Sequence, residues 1–186
     1  PDELVAMFGL ERGERIVEIA GGAADFAFDL IQRHGIRCAP TRKGWIQGVH
    51  TASQLDVIRR RLTQWELRGA PVRFLDRAEI AELTGTNAYC GGFLDGRGGM
   101  IQPLSYARGL ARAAITAGAQ VHGRSPALRM TRQQSVWRVE TPEGAVNAHH
   151  VLICTNGYTD DFYPGLKRSI ITANSFQVAT QPLSSA

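Results

Sequence analysis

The chain has 186 residues, of which 44% are hydrophobic and 20% charged, proportions that suit a soluble globular core and exclude a disordered chain. Its net charge of +4 rests on arginine, since Lys43 and Lys167 are its lysines, and this bias fits GC-rich coding better than a nucleic-acid surface. The absence of an 18-residue apolar run or a secretory signal argues against a membrane protein and makes the cytoplasm the expected location.

The first elements are helical. DELVAMFG predicts a short helix, and ERGERIVEIAGGAADFAFDLIQRHG a longer one with Ile16, Ile19, Ala23, Phe26, Ala27, Leu30 and Ile31 facing inward and Gly35 as its stop. The pair Gly21-Gly22 costs about 1 kcal/mol each in helix propensity, a loss that close packing against a neighbour could offset. A strand is expected over Gly44 to His50, then a helix from about Ala52 to Arg68 closed by Gly69. In that helix Leu55, Ile58, Leu62 and Trp65 form one apolar face, which leaves Arg59-Arg60-Arg61 on the solvated side. Val72 to Leu75 reads as a strand. Asp76 with Glu79 is a capping-box variant that starts a short helix ending near Gly85. Tyr89 to Gln102 looks like strands around a glycine-rich turn.

From Gln102 to Asp160 the order is helix, strand, β-meander, buried strand. The helix carries Pro103 at its start, Leu104, Ala107, Leu110, Ala111 and Ala114 at helical spacing, and Gly118 at its end. Strands are expected at Gln120 to Gly123, Ala127 to Thr131, Val136 to Glu140 and Ala145 to Asn147, with Pro142-Glu143-Gly144 as a turn. Val151 to Cys154 is continuously apolar, as befits a strand buried on both faces, and stops at Thr155-Asn156-Gly157. Ligands of open α/β sheets bind at such strand ends. Cys38, Cys90 and Cys154 are odd in number and widely spaced, arguing against disulfides and zinc. His149 and His150 point to opposite faces of a strand, so no metal site is expected.

QPLSYARGLARAAITAGAQVHGRSP together with VWRVETPEGAVNAHHVLICTNGYTD resembles the FAD-dependent glycine/D-amino-acid oxidase superfamily, and within it most closely the γ-glutamylputrescine oxidoreductases. FDLIQRHGI, GWIQGVH and SFQVATQPL extend the resemblance over nearly the whole chain, with Cys154 standing where that family usually has alanine. The resemblance implies a mixed α+β or α/β fold, part of a two-domain FAD-dependent oxidoreductase. Residues 1–101 would be helices and strands of the substrate-binding domain, with a mixed sheet. Residues 102–160 would be the later half of the FAD domain, with its meander and last strand, and residues 161–186 a return strand to the substrate domain. Family members begin with a strand, a G-x-G-x-x-G turn and a helix that hold the FAD pyrophosphate. No such motif occurs in residues 1–186, so the chain is expected to be an internal fragment that alone binds FAD weakly and turns nothing over.

By the same resemblance Ala127, Thr155, Asn156, Gly157 and Tyr158 are candidate FAD contacts, Ala127 through a backbone that meets the adenine and Gly157 through close backbone approach. From pattern alone Thr155-Asn156-Gly157 is also a plain strand-ending turn, and Ala127 a core strand residue. Candidate substrate contacts are Trp45 and Gln47, which share one strand face, Gln102 before the helix, and Gln177 near the substrate entrance. The other readings make Trp45 core, Gln47 solvent-facing and Gln102 a helix cap, while Arg97 in DGRGG reads as a solvated turn arginine rather than a partner for an acidic substrate group. No catalytic nucleophile or metal is expected, because flavin chemistry moves a hydride equivalent from the carbon beside nitrogen and leaves an imine for water. The expected partner is a small amine or amino acid; nucleic acid and membrane are not, and exposed sheet edges suggest a homodimer. The competing reading is a non-catalytic α/β binding or self-association module without flavin.

Overall fold

The structure, a computed structural model, describes residues 1–174 and Phe176. It divides into two compact units, Pro1–Val121 and His122–Ala186.

In the first unit, α1 (Asp2–Phe8) and α2 (Leu10–Arg33) lie against each other so closely that a Cβ on Gly13 would stand 2.4 Å from the Val5 Cα. α2 buries Gly13, Val17 and Ile31, and leaves Ile16, Ile19 and Phe26 exposed, the last two by 66% and 64%. This corrects the predicted inward face. The apolar arc of α2 is wider than its neighbours can cover, and the helix is set so that its glycines make the close approaches: a Cβ on Gly21 would lie 3.2 Å from the Trp65 ring. Arg68 ties this corner together, its guanidinium held by Asp2 at 2.9 Å and Glu14 at 2.6 Å.

β1 (Trp45–Val49), β2 (Val72–Leu75) and β3 (Gly91–Asp95) form a sheet in the order β1-β3-β2 that is antiparallel throughout rather than mixed. α3 (Leu55–Glu66) covers one face, where Ile58 and Leu62 pack on Val49 and Phe93 with Leu55, Val72 and Phe74 around them, as the spacing of its apolar residues predicts. α4 (Arg77–Thr84) brings fully buried Ile80 toward the other face, where Leu75 pairs with Gly92. The Asp76 carboxylate accepts from the backbone N–H of Ala78 and Glu79 and the Glu79 carboxylate accepts from that of Asp76, completing the predicted capping box. Gly92 permits this packing, since a Cβ there would lie 2.2 Å from the Gln47 carbonyl oxygen. α5 (Pro103–Thr116) closes the unit: Tyr106 and Leu110 pack on Ile31, Ile36 and Cys38, and Gly109 leaves room for the Ile36 side chain.

The second unit contains the predicted meander as β4 (Arg129–Gln133), β5 (Val136–Thr141) and β6 (Gly144–Ala148), antiparallel and turned at Pro142-Glu143. Four expectations are corrected here. Gln120 to Gly123 forms no strand, and the strand expected from Ala127 begins two residues later, at Arg129. Val151 to Cys154, expected as the last buried strand of the FAD sheet, joins no sheet, and Leu152 is 86% exposed. A continuously apolar strand needs ladder partners on its sides, and the described residues supply none. Residues 170–174 form no strand; the rest of the expected return strand, apart from Phe176, lies outside the described residues. No helix among the described residues is long and apolar enough to cross a membrane.

Candidate functional site

The C-T-N-G-Y-T segment folds into a 3₁₀ turn over Asn156–Tyr158. The Tyr158 N–H donates to the Thr155 carbonyl at 3.0 Å and the Thr159 N–H to that of Asn156 at 3.1 Å. The Thr159 hydroxyl donates to the Asn156 carbonyl, also at 2.7 Å, so in the 2.7 Å contact between the two threonine hydroxyls Thr155 is the donor. Asn156 sits at φ +46°, the left-handed region that asparagine tolerates better than most residues. The Thr155 hydroxyl proton is thus committed within the turn, while the Asn156 amide makes no hydrogen bond among the described residues.

Asn156, Gly157 and Tyr158 form one wall of a cavity of 460 Å³, with Ile170 to Asn174 as the other. A Cβ on Gly157 would meet only the Thr172 methyl, at 3.9 Å, so the backbone here is open to close approach by a flat group. Tyr158 is 92% exposed. Among the described residues lining the cavity none is basic, whereas a pyrophosphate site needs cations or a helix N-terminus. Ala127 is exposed and lies just before the ladder, whose first bond runs from the Leu128 N–H to the Glu140 carbonyl at 2.8 Å.

Of the candidate substrate residues, Trp45, Gln47 and Gln102 fall in the first unit. Trp45 and Gln47 do share a face, because they pair with Asp95 and Phe93 on β3. On that face Gln47 accepts a hydrogen bond from Arg61 of α3 at 3.1 Å. The Trp45 ring meets Phe93 edge to face at 5.7 Å and, half-exposed, borders a 340 Å³ cavity with Phe28, Ile31, Asp95, Arg97 and Ile101. Gln102 caps α5, its side-chain oxygen accepting from the Ser105 N–H at 2.6 Å, which leaves the amide NH₂ available. Gln177 lies outside the described residues.

Arg97 is not a solvated turn residue. Its guanidinium grips Asp95 from the turn after β3 and lies 4.2 Å over the Trp65 ring, with the side chain only 16% exposed. The pairing holds the Asp95 carboxyl below its ordinary range, chiefly through the hydrogen bonds from Arg97. Composition offers no signal for this cluster beyond an aspartate two places before an arginine in a glycine-rich turn. Among the described residues no group of histidine, cysteine and carboxylate side chains could hold a metal ion.

The sequence pattern of the family described as "FAD dependent oxidoreductase" (DAO) matches residues 5–186. The chain is 26% identical to the probable oxidoreductase OrdL of Haemophilus influenzae over all of its own length and 44% of that protein's. It is 25% identical to the γ-glutamylputrescine oxidoreductase of Escherichia coli over 98% of its own length and 43% of the relative's. It therefore spans less than half the length of the curated relatives it matches. Among solved structures, glycine oxidase from Geobacillus kaustophilus superimposes with a TM-score of 0.66 at 24% identity, covering 82% of this chain and 41% of that one. L-proline dehydrogenase from P. horikoshii gives a TM-score of 0.63 at 13% identity, over 73% of this chain and 38% of that one. These two likenesses concern the fold.

Proposed function

The chain belongs to the FAD-dependent oxidoreductase family DAO, and from that membership we propose that it is part of a longer enzyme that oxidises the C–N bond of an amine or amino acid. The observation that carries the proposal is the family match over residues 5–186, supported by a relative that acts as a γ-glutamylputrescine oxidoreductase.

When bound, FAD would supply the acceptor for a hydride equivalent from the carbon beside nitrogen, and water would hydrolyse the imine so produced. In this proposal the Ala127 backbone, Thr155, Asn156, Gly157 and Tyr158 lie against the cofactor. The open Cα of Gly157 and the uncommitted Asn156 amide are what fit a flat, hydrogen-bonding ring. Trp45 supplies an apolar wall to the substrate, and Gln47, Gln102 and Gln177 supply amides. The phosphates would be held outside this set, by a glycine-rich turn that residues 1–186 do not contain. Residues 1–186 alone are accordingly proposed to bind FAD weakly and to be inactive.

The test is to express the longer gene product and assay it for bound flavin and for anaerobic bleaching by primary amines, secondary amines and amino acids. Stoichiometric flavin bleached by one of these classes supports the proposal. A product without flavin, or a flavin that no amine reduces, overturns it.

A further inference from the structure

Three cavities of the first unit meet at Gly21 and Arg97. The one beside Trp45, of 340 Å³, has Asp95 and Arg97 as its charged residues, with Ala24, Ala27, Phe28, Trp45 and Ile101 among its walls. Its two aromatic walls are fixed by packing. Trp45 meets Phe93 edge to face, and Phe28 lies under the Arg42 guanidinium at 5.1 Å. A Cβ on Gly98 would stand 2.6 Å from the Trp45 Cβ, and one on Gly99 2.7 Å from the Phe28 ring, so the turn after β3 presses on both. Walls held in this way lose little freedom when a ligand enters.

Arg97 gives the cavity its polar chemistry. Its Nε and Nη2 are spent on Asp95, and both oxygens of that carboxylate are thereby engaged. Nη1 carries two further N–H groups and meets no acceptor among the described residues. It stands over Gly21, 3.0 Å from where a Cβ would lie. No side-chain nitrogen or oxygen of the described residues is both buried and without a partner, so Nη1 opens into the space that Gly21 and Arg97 line together. An ionised acceptor is the stronger partner for such a donor. A guanidinium of this chain already holds two carboxylates at once, since Arg68 binds Asp2 at 2.9 Å and Glu14 at 2.6 Å. An ammonium, by contrast, finds Asp95 already taken.

We infer that this cavity is a binding site for a small carboxylate with an apolar, ring-sized body, its carboxylate on Arg97 Nη1 and its body between Phe28, Trp45 and Ile101. The site lies within the first unit and does not rest on the flavin reading.

Isothermal titration calorimetry of the full chain with phenylacetate tests it. Benzylamine carries the same ring with the opposite charge, and acetate carries the head without the body. Phenylacetate is expected to bind at least about tenfold more tightly than either. Ala24→Leu, which fills the cavity with a good helix former, is expected to weaken phenylacetate about tenfold while leaving the circular dichroism unchanged. Arg97→Lys keeps the charge facing Asp95 but gives up the planar fork, and is expected to narrow the preference for phenylacetate over benzylamine. The absence of binding heat with phenylacetate, as would follow if Glu18 of α2 swung onto Arg97, overturns the inference. So does equal affinity for benzylamine, undiminished affinity in Ala24→Leu, or an unchanged preference in Arg97→Lys. Phenylacetate has no amine to oxidise, so its binding is read apart from any turnover.

Discussion

Arg97 and Asp95 form a two-pronged ion pair, Nε 2.9 Å from one carboxylate oxygen and Nη2 2.6 Å from the other, while the Arg97 backbone N–H donates to the same aspartate at 3.0 Å. The pair fixes the turn leaving β3 and, through Trp65, joins it to α3 and to Gly21 of α2.

Asp95→Asn keeps the shape and removes the charge, and is expected to cost about 1–3 kcal/mol by leaving a partly buried guanidinium poorly matched. The Asp95 carboxyl is held below its ordinary 3.8 by Arg97, so its folded pKa is depressed. A depressed pKa contributes stability that is present above the unfolded value and disappears as pH falls through the folded one. Urea unfolding should therefore separate wild type from variant near neutral pH, with the gap narrowing once the pH drops below 3.8.

Adjacent glycines in α2 are expected to respond in opposite directions. A Cβ on Gly22 meets nothing within 4 Å, so Gly22→Ala should stabilise the helix by about 0.5–1 kcal/mol. A Cβ on Gly21 would crowd the Trp65 ring at 3.2 Å and the Arg97 guanidinium at 3.0 Å, so Gly21→Ala should forfeit that gain or become destabilising. Denaturant midpoints of the two variants, measured side by side, decide it; equal shifts would contradict the packing described for Gly21.

Asp76→Ala removes the oxygen that accepts from the Ala78 and Glu79 N–H groups at the start of α4 and should cost about 1 kcal/mol, whereas Asp76→Ser should recover most of it. Thermal melts of the pair read this directly.

If Gly157 faces the flavin, Gly157→Val in the longer gene product should weaken FAD retention at least about tenfold, by analogy with other side chains placed where a backbone must approach closely. Its fold should be untouched, because only the Thr172 methyl stands near. Flavin titration with a parallel circular dichroism spectrum checks both halves; full flavin affinity would remove Gly157 from the proposed site.

The sequence displayed local order well. Asp76 with Glu79, the Ile58/Leu62 face of α3 and the Pro142-Glu143 turn each depend on a few neighbouring residues, and each stands where their chemistry puts it. It displayed long-range partnership poorly. The inward face of α2 is not legible, because Ile19 and Phe26 signal burial while Gly13 and Gly21, which make the contacts, carry no hydrophobic signal at all. Val151 to Cys154 has the composition of a buried strand, but pairing depends on neighbours that composition does not reveal. The turn at Asn156-Gly157 was legible, because asparagine and glycine announce it, whereas the Arg97 pairing with Asp95 and Trp65 depends on α3 arriving from elsewhere.

The strand order β1-β3-β2 also constrains how the polypeptide reaches this form. Among the described residues β1 and β2 are not neighbours and each pairs with β3, so in this ladder Trp45 and Val72 both wait for Asp95. On a ribosome the first two strands therefore emerge with no ladder to join. Until β3 has left the exit tunnel neither pairing of this sheet can form, so both depend on the strand that is made last of the three.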